Sequence, residues 1–290
     1  LVTGHRPRGA WAVAPATIPG TVVFVGLGVL GGSLAQALAA RGVAVFGHNP
    51  DFAEGAAALE AGAVRDLRPT PASTARDVEC WIVATPLAAF GGIFEAAAGA
   101  GPPLIMDLGS LQGPPLDRSA AAGLGRRHVS AHPMVGSEKS GFGGARADLY
   151  DGAPVWLSAG DETTPGARRA AEAFWSALGA EPRWIDAEAH DARMAVASHL
   201  PQLTATTLAA VMAERGVVPG DLGPGGRDTT RLAASSPIMW RDLLSESAPR
   251  VAPLMRALAA EAALWAERLE AGDLDAVVRA IDSSRSWRSS

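Results

Sequence analysis

Short apolar segments alternate with alanine-rich helical segments through the first two thirds of the chain. The first apolar segment, Thr21–Val25, is β-branched; glycines follow it, and then a helical segment, Leu34–Ala40, that stops at Gly42. The next pair repeats this order, with a strand at Val43–Phe46 and a helix at Phe52–Ala61. Near-continuous apolar strands that alternate with helices indicate a parallel sheet covered by helices on both faces. The sequence therefore predicts that the chain begins with an α/β domain.

The alternation continues to about Asp186 and then ends. Five further strands are predicted, at Trp81–Ala84, Leu104–Met106, Val129–Ala131, Val155–Leu157 and Trp184–Ile185, and the last two are separated by a helix at Pro165–Leu178. We therefore predict a Rossmann-type parallel-sheet domain over residues 21–186. Residues 1–20, with two arginines and a short apolar stretch interrupted by prolines, are predicted to be a loosely ordered leader.

The remaining residues, 187–290, contain only helical patterns. The first is a long helix at Ala187–Arg215, broken near Pro201. Three more helices are predicted at Pro237–Leu244, Pro253–Ala271 and Leu274–Ile281. Apolar side chains recur at helical spacing and predict one buried stripe of Leu254, Leu258, Trp265 and Leu269. The fold class is thus an α/β domain followed by an all-helical domain.

The composition excludes several kinds of protein. The formal net charge is −5, which argues against a surface for nucleic acid or anionic lipid. Cys80 is the single cysteine, so an intrachain disulfide and a cysteine-ligated zinc site are excluded, and a cytoplasmic location is expected. No uninterrupted apolar run of about 18 residues occurs, so no membrane span is predicted. Lys139 is the single lysine, which leaves one candidate for any lysine-based mechanism.

A glycine motif follows the first strand directly and opens the first helix. Its sequence, Gly26-Leu27-Gly28-Val29-Leu30-Gly31, matches the G-x-G-x-x-G pattern of dinucleotide-binding domains. In that pattern Gly26 permits the tight turn, Gly28 lets the backbone approach a pyrophosphate, and Gly31 allows close packing of helix on strand. The helix N-terminus then offers amide donors to the phosphates.

The end of the second strand bears on the choice of coenzyme. An acidic residue there binds the ribose 2′-hydroxyl of NAD in many such domains, but Asn49 stands at this position and Asp51 lies two residues further on. Asn49 removes the charge that would repel a 2′-phosphate, yet no arginine follows to attract one. The coenzyme is therefore NAD or NADP, with NAD favoured as the commoner partner.

Three loops leave the carboxyl ends of predicted strands, where open α/β sheets bind their ligands. They contain Thr85-Pro86, Asp107–Ser110, and a longer Gly/Ser-rich loop from His132 to Gly141. Histidine is the side chain whose ordinary charge change falls near neutral pH, so His132 is the candidate base. Ser110 either hydrogen-bonds a substrate hydroxyl or caps a turn. Lys139 lies in the third loop, where a solvated charge is favoured over a catalytic role.

The helical part carries further polar candidates. His199 and Gln202 are three residues apart and so share a helix face. His190 lies about half a turn round from His199, so a shared metal is not expected, and no metal site is predicted. Arg227 and Arg231, four apart, present two guanidinium groups either to a carboxylate or to a surface salt bridge.

Five segments together resemble the prephenate/arogenate dehydrogenase family of tyrosine biosynthesis. They are Gly26–Ser33, Asp107–Ser110, Ala131–Gly141 (AHPMVGSEKSG), Ser198–Gln202 (SHLPQ) and Arg227–Asp242 (RDTTRLAASSPIMWRD). The resemblance covers residues 21 to 245 and implies a Rossmann domain followed by a helical domain that forms a homodimer. It implies NAD(P)-dependent oxidative decarboxylation of a cyclohexadiene carboxylate such as prephenate.

The resemblance also assigns roles. His132 would accept the proton of the C4 hydroxyl, Ser110 would hold that hydroxyl or orient the imidazole, and Arg231 would bind a carboxylate. Thr85 and Pro86 would border the nicotinamide ribose. The other residues expected to contact substrate are His199, Gln202, Arg227 and Glu138, and Leu30 and Asn49 join the three glycines in the coenzyme site.

One departure from the family pattern keeps the substrate open. Members that use prephenate often carry a second histidine at the position of Gln202, so arogenate and an amino-substituted ring analogue are alternatives to prephenate. An alternative of another class is a non-catalytic nucleotide-binding regulatory module, which would need neither His132 nor Ser110.

Overall fold

The computed structural model describes residues 18–74, 78–136 and 139–289. The chain divides into two compact units between Asp191 and Ala192. The first 17 residues of the predicted leader lie outside the described residues, as does Glu138.

The first unit is built on one eight-stranded sheet. Its strands are β1 (Thr21–Val25), β2 (Ala44–His48), β3 (Asp66–Leu67), β4 (Cys80–Val83), β5 (Leu104–Asp107), β6 (His128–Pro133), β7 (Pro154–Ser158) and β8 (Glu181–Trp184). The order across the sheet is β3-β2-β1-β4-β5-β6-β7-β8. Neighbours pair in parallel except β6 and β7, which are antiparallel. The predicted Rossmann-type α/β fold is confirmed.

Helices cover both faces of this sheet, as the apolar strands predict. They are α1 (Val29–Ala39), α2 (Phe52–Glu60), α3 (Phe90–Ala100), α4 (Gly113–Ala121) and α5 (Pro165–Ala177). The strands contribute alternate side chains to two buried apolar clusters. One cluster includes Leu34 and Leu38 of α1 and Trp175 of α5, and the other includes Trp81 of β4 and Phe94 of α3. Every residue of β4 and β5 is buried. Apart from Asp107 at the end of β5, these strands are apolar because both of their faces lie in the core.

Two features of the sheet differ from the prediction. β3 was missed, because it has only two residues, lies at the sheet edge and begins with the exposed Asp66. β7 reverses direction, whereas a fully parallel sheet was expected. The described part of the β6–β7 connection contains only a short 3-10 turn, Phe142–Gly144, and not the crossover helix that usually joins parallel neighbours.

The chain continues into a helical part. α6 (Ala187–Met194) is followed by a π-helical turn at Ala195–His199, and then by α7 (Leu200–Glu214) and α8 (Pro224–Thr230). A 3-10 turn at Arg231–Ala234 precedes the last two helices, α9 (Pro237–Glu270) and α10 (Leu274–Ser289). The predicted break near Pro201 is confirmed. The π turn lies just before it, where a proline without an N–H is accommodated.

The two predicted helices Pro237–Leu244 and Pro253–Ala271 are in fact one, α9, with Pro249 and Pro253 inside it. An interior proline costs about 3 kcal/mol or more. Here the prolines are four residues apart, so the amide that Pro253 lacks would have bonded the carbonyl of Pro249, and the disruption stays local. Ser247 and Val251 are buried on this stretch, and α9 packs against α7 and the π turn. That packing offsets the cost of the prolines.

The predicted buried stripe on α9 is only partly correct. Leu254, Leu258 and Trp265 are partly buried, but Leu269 is exposed, as are apolar side chains of α10. The C-terminal part of α9 packs on α10, which does not cover that face. The helical unit therefore presents an apolar surface around Leu269, Leu274, Val278 and Ile281. None of the helices in the described part of the chain has the length and apolar character needed to cross a membrane.

Candidate active site

The glycine loop between β1 and α1 has the geometry of a phosphate cradle. Gly26 has φ +101°, and a Cβ there would collide with the carbonyl of Ala84, the residue that directly follows β4. A Cβ on Gly31 would collide with the carbonyl of Gly26, so both positions require glycine. At Gly28, by contrast, a Cβ would meet nothing within 4 Å. The open space lies at the N-terminus of α1, whose first amides point outward, and these residues fit the pyrophosphate of a dinucleotide.

Asn49 lies one residue after β2, where the ribose-binding acid was expected. Its Oδ1 accepts a hydrogen bond from the Leu27 amide (3.0 Å), and its Nδ2 donates to the Asp51 carbonyl (2.9 Å). Asn49 thus holds the glycine loop against the end of β2. Asp51 instead caps α2, since its carboxylate accepts from the amides of Ala53 and Glu54 (2.9 and 3.2 Å).

Arg68 directly follows β3, the edge strand beside β2. Its guanidinium pairs with Asp66 (3.2 Å) and lies over the ring of Phe46, 4.9 Å from the centroid. Its carbonyl is 2.9 Å from Nδ1 of His48. Arg68 therefore braces the β2–β3 edge, and its charge is already compensated by Asp66.

Thr85 and Pro86 follow β4 at the same edge of the sheet. Register places Val83 beside Val25, so the β4 loop lies next to the glycine loop. The Thr85 methyl group is close enough to Gly26 to meet a Cβ built there at 3.1 Å. Thr85 is thus placed beside the glycine cradle.

Ser110 and His132 lie at the ends of adjacent parallel strands. Asp107 of β5 pairs in register with Ser130 of β6, so both loops leave the sheet at the same edge. The loop that follows β5 is stabilised by the buried Asp107, whose Oδ1 accepts a hydrogen bond from the Gly109 amide (2.8 Å). Ser110 is exposed at the top of that loop and His132 is half-buried.

A buried histidine supports this loop. His128 Nε2 is 2.9 Å from Oδ2 of Asp107, and its Nδ1 is 2.7 Å from the hydroxyl of Ser119. All three side chains are fully buried, so this Ser-His-Asp arrangement is out of reach of a substrate. It fixes the carboxylate that holds Gly109.

His132 is hydrogen-bonded to His190, which is in turn hydrogen-bonded to Asp191, and neither partner was predicted as a site residue. Its Nδ1 lies 2.9 Å from Nε2 of His190, and Nδ1 of His190 lies 2.9 Å from Oδ1 of Asp191. His190 and Asp191 are buried on α6. In the sequence, His190 was examined only as a possible metal ligand together with His199. Its adjacency to an aspartate was the available signal, and nothing in the helical spacing connects it with a residue 58 positions earlier.

The Asp191 carboxylate is ionised in this setting. Burial alone raises its pKa, but hydrogen bonds from His190 and from the amides of Gln112 and Gly113 outweigh burial and lower the pKa below its ordinary value. The two amide contacts are 2.9 and 3.0 Å long. Gly113 is the first residue of α4, so the carboxylate also lies at a helix N-terminus, which favours negative charge.

In the helical unit, Gln202 holds the turn that carries Arg231. Its Nε2 donates to the carbonyl of Leu232 (2.8 Å), and its Oε1 accepts from the hydroxyl of Ser235 (3.1 Å). Both ends of the buried amide are therefore engaged by the segment around the Arg231–Ala234 turn. Arg231 itself is exposed.

The other predicted substrate residues have different surroundings. His199 is buried, with its ring edge-on to Trp240 at 5.7 Å. Arg227 donates to the carbonyl of Leu222 and so braces the start of α8. Over the part of the chain that the structure describes, no group of three or more His, Cys, Asp or Glu side chains is placed to hold a metal.

Family comparisons match both parts of the chain. The profile described as prephenate dehydrogenase, nucleotide-binding domain, matches residues 34–182. The profile described as prephenate dehydrogenase, dimerization domain, matches residues 186–283.

Individual relatives agree with these profiles. Prephenate dehydrogenase of Bacillus subtilis is 30% identical over 241 residues, which are 80% of this chain and 65% of that protein. Cyclohexadienyl dehydrogenase of Zymomonas mobilis is 27% identical over 81% of this chain and 83% of its own length. A crystal structure of prephenate dehydrogenase from Aquifex aeolicus, in complex with hydroxyphenyl propionate and NAD+, superposes with a TM-score of 0.85 at 25% identity and covers 92% of this chain and 96% of that one.

Proposed function

The chain belongs to the prephenate dehydrogenase family, and we propose that it catalyses the NAD-dependent oxidative decarboxylation of prephenate to 4-hydroxyphenylpyruvate. The observation that carries the proposal is the position of His132. It lies at the end of β6, on the sheet edge that also carries the glycine cradle and Ser110, and it is hydrogen-bonded to a buried His190. A base beside a nicotinamide site is what oxidation of a ring alcohol requires.

The coenzyme contacts follow from the glycine loop. Gly26, Gly28 and Gly31 with the first turn of α1 would hold the pyrophosphate, and Thr85 would border the ribose on the nicotinamide side. When bound, NAD supplies the acceptor for the hydride that leaves C4 of the ring. We propose NAD as the preferred coenzyme because Asn49 brings no cation to the ribose position and the guanidinium of Arg68 is paired with Asp66.

Side chains of this protein accept the proton of the substrate hydroxyl and bind the substrate carboxylate. His132 takes the proton of the C4 hydroxyl through Nε2 while Ser110 donates a hydrogen bond to that oxygen. As the hydride leaves C4, the C4–O bond becomes a carbonyl. Loss of the ring carboxylate as carbon dioxide then returns the electron pair of the broken C–C bond to the ring as a phenolate, and the phenolate regains its proton from the His132 imidazolium to become the phenol. Arg231, on the turn held by Gln202, binds a substrate carboxylate.

A second substrate, arogenate, is supported by a specific observation. Gln202 stands where family members that use prephenate often carry a second histidine, and its amide is hydrogen-bonded to Leu232 and Ser235. It therefore offers no imidazole to the side-chain carboxylate of prephenate. The relative from Zymomonas mobilis is named for the wider cyclohexadienyl class.

One assay separates these proposals. Purified protein is mixed with prephenate or arogenate and with NAD or NADP, and the absorbance of the reduced coenzyme is followed. The proposal expects the highest kcat/KM with prephenate and NAD. A higher kcat/KM with arogenate would transfer the proposal to the second substrate. No signal in any combination would leave a nucleotide-binding module as the better description.

We further propose a homodimer in the cytoplasm. The apolar surface of Leu269, Leu274, Val278 and Ile281 is what a dimer interface would cover, and the helical unit matches the family's dimerization domain. Light scattering should give twice the chain mass of 29.6 kDa. A monomer mass at micromolar concentration would contradict the dimer.

A further inference from the structure

His132, His190 and Asp191 form a continuous chain of hydrogen bonds, and for neutral imidazole rings its direction follows from the carboxylate at one end. It begins at Asp191, whose ionised carboxylate accepts from the amides of Gln112 and Gly113. An ionised carboxylate has no proton to give, so the contact at 2.9 Å requires that Nδ1 of His190 be the donor.

The next contact is determined by the first. With its proton on Nδ1, a neutral His190 carries its lone pair on Nε2 and accepts there. Nδ1 of His132, 2.9 Å away, must therefore be the donor. A neutral His132 then carries its lone pair on Nε2, the nitrogen that a substrate hydroxyl needs as a proton acceptor. Two histidines and one carboxylate thus select a single tautomer of His132.

The carboxylate also stabilises the state that follows proton transfer. When His132 becomes an imidazolium, its Nδ1–H remains hydrogen-bonded to His190, and the charge of Asp191 acts through that ring. Both partners are buried, where such an interaction is screened little by solvent. The same carboxylate holds the start of α4, three residues after Ser110, so one group aligns the base and the end of the Ser110 loop.

We propose that His190 and Asp191 are positioning residues that fix His132 in the tautomer and orientation in which Nε2 accepts the substrate proton, and that they stabilise the imidazolium formed. The proposal rests on the proposed dehydrogenase function for its catalytic consequence. Its structural part, the tautomer of His132, holds whether or not prephenate is the substrate.

The first test measures kinetics on the His190→Phe and His190→Gln variants. Phenylalanine keeps a ring of similar volume but no acceptor, so kcat should fall by on the order of 10- to 100-fold, the range seen when a residue that orients a metal-ligating histidine is removed. KM for substrate and coenzyme should stay within about twofold, because His190 is buried behind His132. The amide oxygen of glutamine can accept from Nδ1 of His132, so His190→Gln should recover part of kcat. A kcat equal to wild type in His190→Phe, or a change confined to KM, would overturn the proposal.

The second test reads the tautomer directly in the resting protein. Long-range ¹H–¹⁵N spectra of the histidine-labelled chain distinguish a ring nitrogen with a proton from one with a lone pair, and the His132→Asn variant identifies the signals of His132. We expect protonated Nδ1 and unprotonated Nε2 at neutral His132 in the wild type. In His190→Phe the two nitrogens should give averaged or exchanging signals.

A matched control comes from the other buried histidine–carboxylate pair. His128→Gln disturbs an equally buried contact with Asp107 but does not touch His132, so the His132 signals should keep the wild-type pattern. The opposite tautomer in the wild type, or an unchanged pattern in His190→Phe, would refute the positioning role. Absence of turnover in the wild type would refute the dehydrogenase function and leave the tautomer result to stand by itself.

Discussion

Replacing Asp191 by alanine removes the acceptor of three hydrogen bonds at once. The backbone amides of Gln112 and Gly113 and the ring N–H of His190 lose their partner in a buried setting. Leaving a buried donor unsatisfied costs about 1–3 kcal/mol. The three together give a loss of roughly 3–9 kcal/mol, a large part of the roughly 5–15 kcal/mol by which folded domains are stable.

Asp51 provides the matched control. It also accepts two backbone amides at the start of a helix, at 2.9 and 3.2 Å, but it is exposed, so water replaces it when it is removed. Asp51→Ala should cost about 0.5–2 kcal/mol, the usual value of a helix cap. The free energy of unfolding in urea measures both variants. A loss for Asp191→Ala no larger than that for Asp51→Ala would refute the reasoning that the buried carboxylate organises α4 and His190.

The effect of pH checks the same carboxylate. Hydrogen bonds to the charged form lower the folded-state pKa of Asp191, so its contribution is complete above the unfolded-state value of about 4. It is lost as the pH falls through the lowered folded-state pKa. The difference in unfolding free energy between wild type and Asp191→Ala should therefore be constant at neutral pH and shrink in acid. A difference that grows in acid would have the wrong sign.

Two further predictions concern the binding sites. Gly31→Ala places a methyl group against the carbonyl of Gly26 and should weaken NAD binding by about tenfold or more, the equivalent of roughly 1.4 kcal/mol, as measured by titration of the intrinsic fluorescence. In the control Gly91→Ala the new Cβ meets nothing within 4 Å, so this variant should bind NAD as the wild type does. Equal NAD affinities of the two variants would contradict the proposed phosphate cradle. Arg231→Ala should raise KM for the substrate by about 10- to 100-fold in steady-state kinetics, because it removes one charged hydrogen bond to the substrate. The control Arg183→Ala removes an exposed ion pair with Glu181 and should leave KM unchanged. An unaltered KM in Arg231→Ala would refute the contact between Arg231 and the substrate carboxylate.

The fold was predictable from the sequence where one physical effect dominates. β4 and β5 have both faces in the core, which demands continuous apolar runs, and those runs were recognised. β3 lies at an edge and buries little, so it left no pattern. α9 continues through two prolines because burial of Ser247 and Val251 outweighs local propensity. Tertiary packing of that kind is not visible in a short window of sequence.

The candidate site divides in the same way. The glycine loop has a local cause, a positive φ and close backbone approach, and so the motif identified it. His132 was found because it ends a recognisable strand. His190 and Asp191 were missed because their role depends on a contact across 58 residues, which no spacing rule predicts. The bonding of Gln202 to the Arg231–Ala234 turn likewise arises only from the packing of α7.

The most direct test of the central claim compares wild type with His132→Asn in a reaction in which three products are counted. Reduced coenzyme is followed by absorbance, carbon dioxide by trapping, and the phenolic product by chromatography, with prephenate and NAD as reactants. The account predicts equal amounts of all three from the wild type and a kcat about 10²–10⁴-fold lower in His132→Asn, with KM for NAD nearly unchanged. Turnover by His132→Asn at the wild-type rate, or coenzyme reduction without release of carbon dioxide, would contradict it.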